Sequence, residues 1–182
     1  MIVEIMIVCL FAKLKRLRLG YLVYTWTFYP VLLAQLLAVA CQASLFFGVT
    51  TLVPLVPYLE PAIILSFLFA MFTFQLFRPA TVGAGCIVAG TALNRLVIAQ
   101  NGGHMPVFPS LSYLTGYVTP ASFGTLDTLH VLGGAQTKLP FLADVIDYGY
   151  SILSVGDVLI HLYVCLMLYA LIQAVNRRYA VA

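Results

Sequence analysis

Charge is what this chain mostly lacks, and the few places that keep it limit what the chain can fold into. Only 8% of its 182 residues are Asp, Glu, Lys or Arg, and 63% are hydrophobic. The mean hydropathy is +1.04. A soluble domain is ordinarily about one-quarter charged, because it must surround its core with a wetted surface. This chain cannot supply such a surface. Its uncharged runs approach the roughly 20 residues that cross a bilayer core. The sequence therefore predicts an all-α, polytopic transmembrane helical bundle in one integral membrane domain spanning residues 1–182.

Four full spans are expected, at 28–48, 60–77, 80–100 and 151–175. Residues 1–12 are apolar apart from Glu4. As a helix they rise only about 18 Å against roughly 30 Å of hydrocarbon, which makes them a short or partial span. A cleaved signal peptide carries its positive charge before the apolar run. Here Lys13, Lys15, Arg16 and Arg18 come after it. Tyr21, Tyr24, Trp26, Phe28 and Tyr29 suit the headgroup boundary. Pro54 and Pro57 mark a turn over 50–57, and residues 101–149 form one long connection.

Orientation follows from the basic residues. Lys13, Lys15, Arg16, Arg18, Arg78, Arg177 and Arg178, seven of the nine, fall on one side if the spans alternate. Positive residues collect on the cytoplasmic side, so the N-terminus is expected outside and the C-terminus inside. The 101–149 connection, with Asp127, Asp144 and Asp147, is then extracytoplasmic. Topology thus accounts for the net charge of +3, and nucleic acid is not an expected partner.

Few residues are left for chemistry. Charged groups inside a span are costly and ordinarily have a partner or a task. Ser154, Asp157, His161 and Cys165 share one face of the last span, while Thr91, Asn94 and Arg95 make a comparable stripe on the span before it. Arg95 and Asp157 are a candidate ion pair. Alternatively, Arg95, Asp157 and His161 line a polar pocket open to the outside. The run Asn101-Gly102-Gly103-His104 reads as a tight re-entry turn, or as a backbone cradle with His104 beside that pocket. Residues 142–147 alternate apolar positions with Asp144 and Asp147, as in a short amphipathic helix on the membrane surface. Those aspartates are either solvated or set near Asp157, where two close carboxylates could act as acid and base. Gly85 and Ala89 have the spacing of a close helix contact.

Cys9, Cys41, Cys86 and Cys165 lie in apolar segments without metal-ligand spacing. No phosphate loop, His-Glu-x-x-His or Gly-x-Ser-x-Gly motif is present. No metal or cofactor is expected.

Several of these residues carry a resemblance. Asn94, the run from Asn101 to Val107, Thr137-Lys138-Leu139, Asp144 and Ser154-Val155-Gly156-Asp157 resemble a bacterial family of small membrane proteins, a domain of unknown function. The resemblance covers nearly the whole chain and implies a multi-pass protein of a prokaryotic plasma membrane, without an activity. A second, local likeness is to lipoprotein signal peptidase, in an Asn-x-Gly turn and two aspartates near the outer surface. That likeness implies an acid–base pair of Asp157 with Asp144 or Asp147, and Asn101 holding a substrate backbone. The chain lacks that enzyme's Gly-Asn pair before the first aspartate, has Gly156 where alanine is usual, and does not align over its N-terminal half. The Gly-x-Gly-Asp membrane proteases are further away, because Ser154 replaces their first glycine.

Three functions are compatible with this pattern. The one that asks least is a non-enzymatic accessory subunit or binder of lipid or a small ligand. Its outward-facing polar site would draw on Asn94, Arg95, Asn101, His104, Ser154 and His161, and its partners would be membrane lipids and partner membrane proteins. The alternatives are an outward-facing aspartyl hydrolase, with Asp157, Asp144 and Asp147 catalytic, and a small transporter with broken helices and a mid-membrane pocket.

Overall fold

A computed structural model describes residues 1–49, 51–119 and 129–180. The described chain is an all-α polytopic bundle with minor strands. Its helices are α1 (Ile2–Leu14), α2 (Tyr29–Phe46), α3 (Val56–Ser66), α4 (Leu68–Phe74), α5 (Phe77–Gln100), α6 (Leu111–Thr115) and α7 (Val155–Ala180). Four stretches are long and apolar enough to cross a membrane: Trp26–Phe46, Val56–Phe74, Phe77–Gln100 and Val155–Tyr179. The last is the most enclosed, half buried where the others reach 17% at most. Met167, Leu171, Ile172 and Val175 on α7 are fully buried. Between helices in lipid such contacts are held by close packing rather than by water exclusion.

The second span differs from the sequence reading at both ends. Its helix begins at Val56, since Pro57 fits the first turn, where a missing N–H costs nothing. It breaks at Phe67 and stops at Phe74. Gln75 is left-handed (φ 52°), so the chain turns there instead of running on to 77. α5 already includes Arg78 and Pro79 in its first turn, a position proline tolerates.

The chain divides into two compact units. One comprises Met1–Gly85 with His161–Ala182, the other Cys86–Ile160. In the first, the side chain of Asn176 accepts from the Arg18 N–H (2.8 Å) and donates to the Arg18 carbonyl (3.1 Å). The Tyr179 hydroxyl donates to the Tyr24 carbonyl (3.2 Å). These bonds fasten the aromatic-rich segment, which forms two 3-10 turns over Leu19–Tyr24 and Trp26–Phe28, to the end of α7.

In the second unit the long connection folds on itself. Strands β1 (Met105–Val107) and β2 (His130–Leu132) pair in parallel. Strands β3 (Ile146–Asp147) and β4 (Ile152–Leu153) pair antiparallel. Val107 also bridges Asp144. Val97, Met105 and Ala143 form a small buried core, with Ile98, Phe108, Leu139 and Leu142 against it.

Close helix approach occurs at glycines other than the expected ones. Gly85 has nothing within 4 Å of where a side chain would begin. In the first unit a Cβ on Gly83 would strike the Tyr163 ring at 2.6 Å. In the second, Gly90 and Gly156 face each other so closely that a Cβ on either would overlap the other's carbonyl oxygen. The packing stripe of α5 is therefore Gly83 and Gly90, seven residues apart, rather than Gly85 and Ala89.

Candidate functional site

Asp157 sits in the first turn of α7, and its geometry is that of a reciprocal cap. Its backbone N–H donates to the Ser154 hydroxyl (2.9 Å), and its carboxylate accepts from the Ser154 N–H (2.9 Å). This is a capping box with aspartate as the acid. Asn94 completes it from α5: its amide donates to Asp157 (2.8 Å), and its carbonyl accepts from the fully buried Ser154 hydroxyl (2.8 Å). Gly156 exists to admit Asn94, because a Cβ there would overlap the Asn94 carbonyl oxygen. The Ser-Val-Gly-Asp run is thus a helix start and a helix contact in one.

Arg95 does not join this group. One residue beyond Asn94 turns it about 100° around the helix, and it is exposed, without a hydrogen bond or ion pair among the described residues. The expected Arg95–Asp157 pair is replaced by Asn94–Asp157. A neutral amide meets the carboxylate without a second charge having to be desolvated.

Asp147 has a set of partners of its own. It accepts from the N–H of Ser110 (2.7 Å), Ser112 (2.8 Å) and Gly149 (2.7 Å), and from the Ser112 hydroxyl (2.6 Å). Burial by itself would push this carboxyl up. The bonds from Ser112, Ser110 and Gly149 outweigh it and hold the pKa below the usual 3.8. Asp144 is buried, at 4% exposure, with His130 Nε2 at 3.5 Å. Its backbone bonds to Pro106 and Phe108. The surface helix expected over 142–147 is absent. Pro140–Leu142 is a 3-10 turn, and Ile146–Asp147 is a strand. Strand pairing and the Asp147 bonds satisfy groups that a helix would have left unpaired. Asp127 lies outside the described residues.

The Asn101 turn forms as expected, with Gly102 at φ 67° and Gly103 at φ 91°. Asn101 itself grips the chain's own backbone. Its amide donates to the Lys138 carbonyl (3.0 Å), and its side-chain oxygen accepts from the Lys138 N–H (2.9 Å). Beside this clamp lies an open cleft of about 430 Å³. Gln100, Asn101, Gly102 and Pro106 line it, with Val131, Leu132 and residues 134–137. The side-chain amides of Gln100 and Gln136 have no partner among the described residues. His104 is exposed, and neither it nor Asn94, Arg95, Ser154 or His161 lines the cleft. Of the expected pocket residues, the cleft takes in Asn101 alone.

His161 belongs to the first unit. It is buried, and its Nδ1 lies 2.9 Å from Glu4 Oε1 on α1. The sequence reading left Glu4 without a partner, although an intramembrane acid calls for one. Asking what lies at its depth would have pointed to His161. The bonds of Ser110 and Ser112 to Asp147 left no sequence signal, being 37 and 35 residues away. Among the described residues no three His, Cys, Asp or Glu gather as a metal-binding set.

No curated protein and no solved structure matches this chain. A family profile does, over residues 21–169, and this span takes in the aromatic segment, all four apolar stretches to Tyr169, the Asn101 clamp and the Ser154–Asp157 cap. The chain belongs to the family of unknown function DUF5317.

Proposed function

We propose that this protein is a non-enzymatic component of a prokaryotic plasma membrane, with its N-terminus outside and C-terminus in the cytoplasm, that binds a small neutral polar ligand in its outer cleft. One observation carries the reading. Asp147 and Asp157 are each tied into the fold by hydrogen bonds from different residues, while the cleft is lined by carboxamides, backbone and apolar side chains. A pocket with no acid, base or ionised nucleophile in its wall can bind, but it has no group for proton transfer. Its volume falls in the range of small-ligand sites, about 300–1,000 Å³. The orientation is supported by bases from three distant stretches meeting at one end of the first unit. Arg18 is bonded to Asn176, and Arg78 and Arg177 line one cavity.

The test is thermal unfolding of the purified full chain against a panel of neutral sugars, amides and short peptides. A binder should raise the Tm of the parent but not that of Gln136→Leu or Gln100→Leu. Hydrolysis of an ester or peptide, abolished by Asp157→Asn in a protein that still unfolds cooperatively, would replace this reading with the hydrolase.

A further inference from the structure

A cavity of about 810 Å³ in the first unit lies where α4 gives way to α5 and faces the last turns of α7. Its lining is graded. Along α7 the stripe Leu166, Ala170, Gln173, Arg177 runs from apolar to amide to guanidinium. Across from it, the left-handed turn at Gln75 presents Arg78. Arg177 and Arg78 are both exposed, and neither has a hydrogen bond or ion pair among the described residues. By contrast, the neighbouring Arg178 lies over the Phe74 ring at 5.9 Å. None of the chain's six Asp and Glu residues falls within the stretches that hold the seven bases of this end. Two guanidiniums lining one cavity whose wall holds no carboxylate leave its positive charge uncompensated by the described protein.

We propose that this cavity binds the headgroup of an anionic phospholipid, with Arg78 and Arg177 on the phosphate and the Leu166–Ala170 wall along the first carbons of an acyl chain. Guanidinium matches phosphate oxygens in a bidentate fork. Gln75 and Gln173 supply amide donors for the glycerol oxygens. An apolar wall continuing from a phosphate-binding rim suits an amphiphile lodged at the membrane boundary, where basic pockets between spans hold acidic headgroups. A soluble phosphate would use the two arginines and leave that wall without an occupant. The cavity is separate from the outer cleft, so this proposal stands or falls independently of the ligand proposed there.

The test is lipid retention by the full chain in nanodiscs of phosphatidylcholine with an added phosphatidylglycerol fraction, read by native mass spectrometry. Arg78→Gln with Arg177→Gln should lower phosphatidylglycerol retention about tenfold or more, since one charge-assisted hydrogen bond to phosphate is already worth a factor of about ten. Ala174→Trp, which fills the cavity and keeps both charges, should lower it as well. Lys15→Gln with Arg16→Gln removes the same charge outside the cavity and should lower retention several-fold less than the cavity pair does, by no more than diffuse attraction to the anionic surface accounts for. Unfolding in phosphatidylcholine alone serves as the folding control for each variant. Equal losses from the two double variants would mean diffuse surface attraction and overturn the proposal. So would full retention by the cavity variants. Displacement of the lipid by millimolar inorganic phosphate would reassign the site to a soluble anion and overturn the lipid.

Discussion

Asp147 and Asp157 in the unit Cys86–Ile160 and Arg78 and Arg177 in the other are opposites in how they are held. The Asp147 carboxylate accepts five hydrogen bonds and that of Asp157 two, all from neutral groups of that unit. Arg78 and Arg177 receive none from the described protein and share a cavity. The difference separates charge that builds a fold from charge left over for something else. A carboxylate saturated by backbone N–H groups is a structural element, much like a cap. A guanidinium without a protein partner, lining a cavity, is open to a partner from outside the chain. Intramembrane charge is a default pointer to function, yet here Asp157, the charge most tempting on that ground, holds a helix start in place.

The sharpest way to break this contrast is at Gly156. Leucine there would overlap Asn94 and the Gly90 carbonyl, and backbone cannot retreat as a side-chain tip can. Loss of about 3 kcal/mol or more is expected, read as failure to recover folded protein from detergent. Gly85→Leu, where nothing lies within 4 Å, should be tolerated. Next comes Asp157→Ala, which strips the cap and orphans the Asn94 amide and the Ser154 N–H. It should cost about 2 kcal/mol, lowering Tm, whereas Asp157→Asn should recover part of that loss.

A third prediction concerns acid. The folded pKa of Asp147 lies below its unfolded 3.8, so its contribution is full above that value and is lost as pH falls through the folded pKa. Amide protection factors at Ser110, Ser112 and Gly149 should therefore hold down to pH 3.8 in the parent and collapse only below it. In Asp147→Asn they should be low already at neutral pH and show no acid transition. The smallest effect is expected at Arg95. Exposed and without a partner, it should change stability by no more than about 0.5 kcal/mol when replaced by glutamine. A much larger loss would show that Arg95 is held by something and would return it to the class of structural charges.

The spans were readable because apolar run length is a local property, and so was the Asn-Gly-Gly reversal, since two glycines at positive φ announce themselves. What the sequence hid were pairings across distance. Asn94 rather than Arg95 meets Asp157, a choice set by one residue of helix rotation. Asp144 and Asp147 looked like one face of a helix, because the partners that hold them, Pro106 and Phe108 for the Asp144 backbone and Ser110 and Ser112 for the Asp147 carboxylate, lie about 35 to 38 residues away. Gly85-x-x-x-Ala89 matched a packing pattern, yet the contact went to Gly83 and Gly90, where Tyr163 and Gly156 require the absent side chain. The cavity at Arg78 and Arg177 was half legible. The bases were seen, but read only as markers of orientation.

The double bond from Asn101 to Lys138 fixes both ends of the intervening excursion against each other. In polymer terms it closes a loop of 36 residues, and the entropy of closing such a loop grows only with the logarithm of its length. A flexible insertion that doubled this length would cost only about 0.6 kcal/mol, but Met105 packs against Val97 and Ser110 and Ser112 bond Asp147 from within the loop, so added length is cheap only where it leaves those contacts in place. The clasp therefore lets the segment it closes lengthen between those contacts without releasing its two ends.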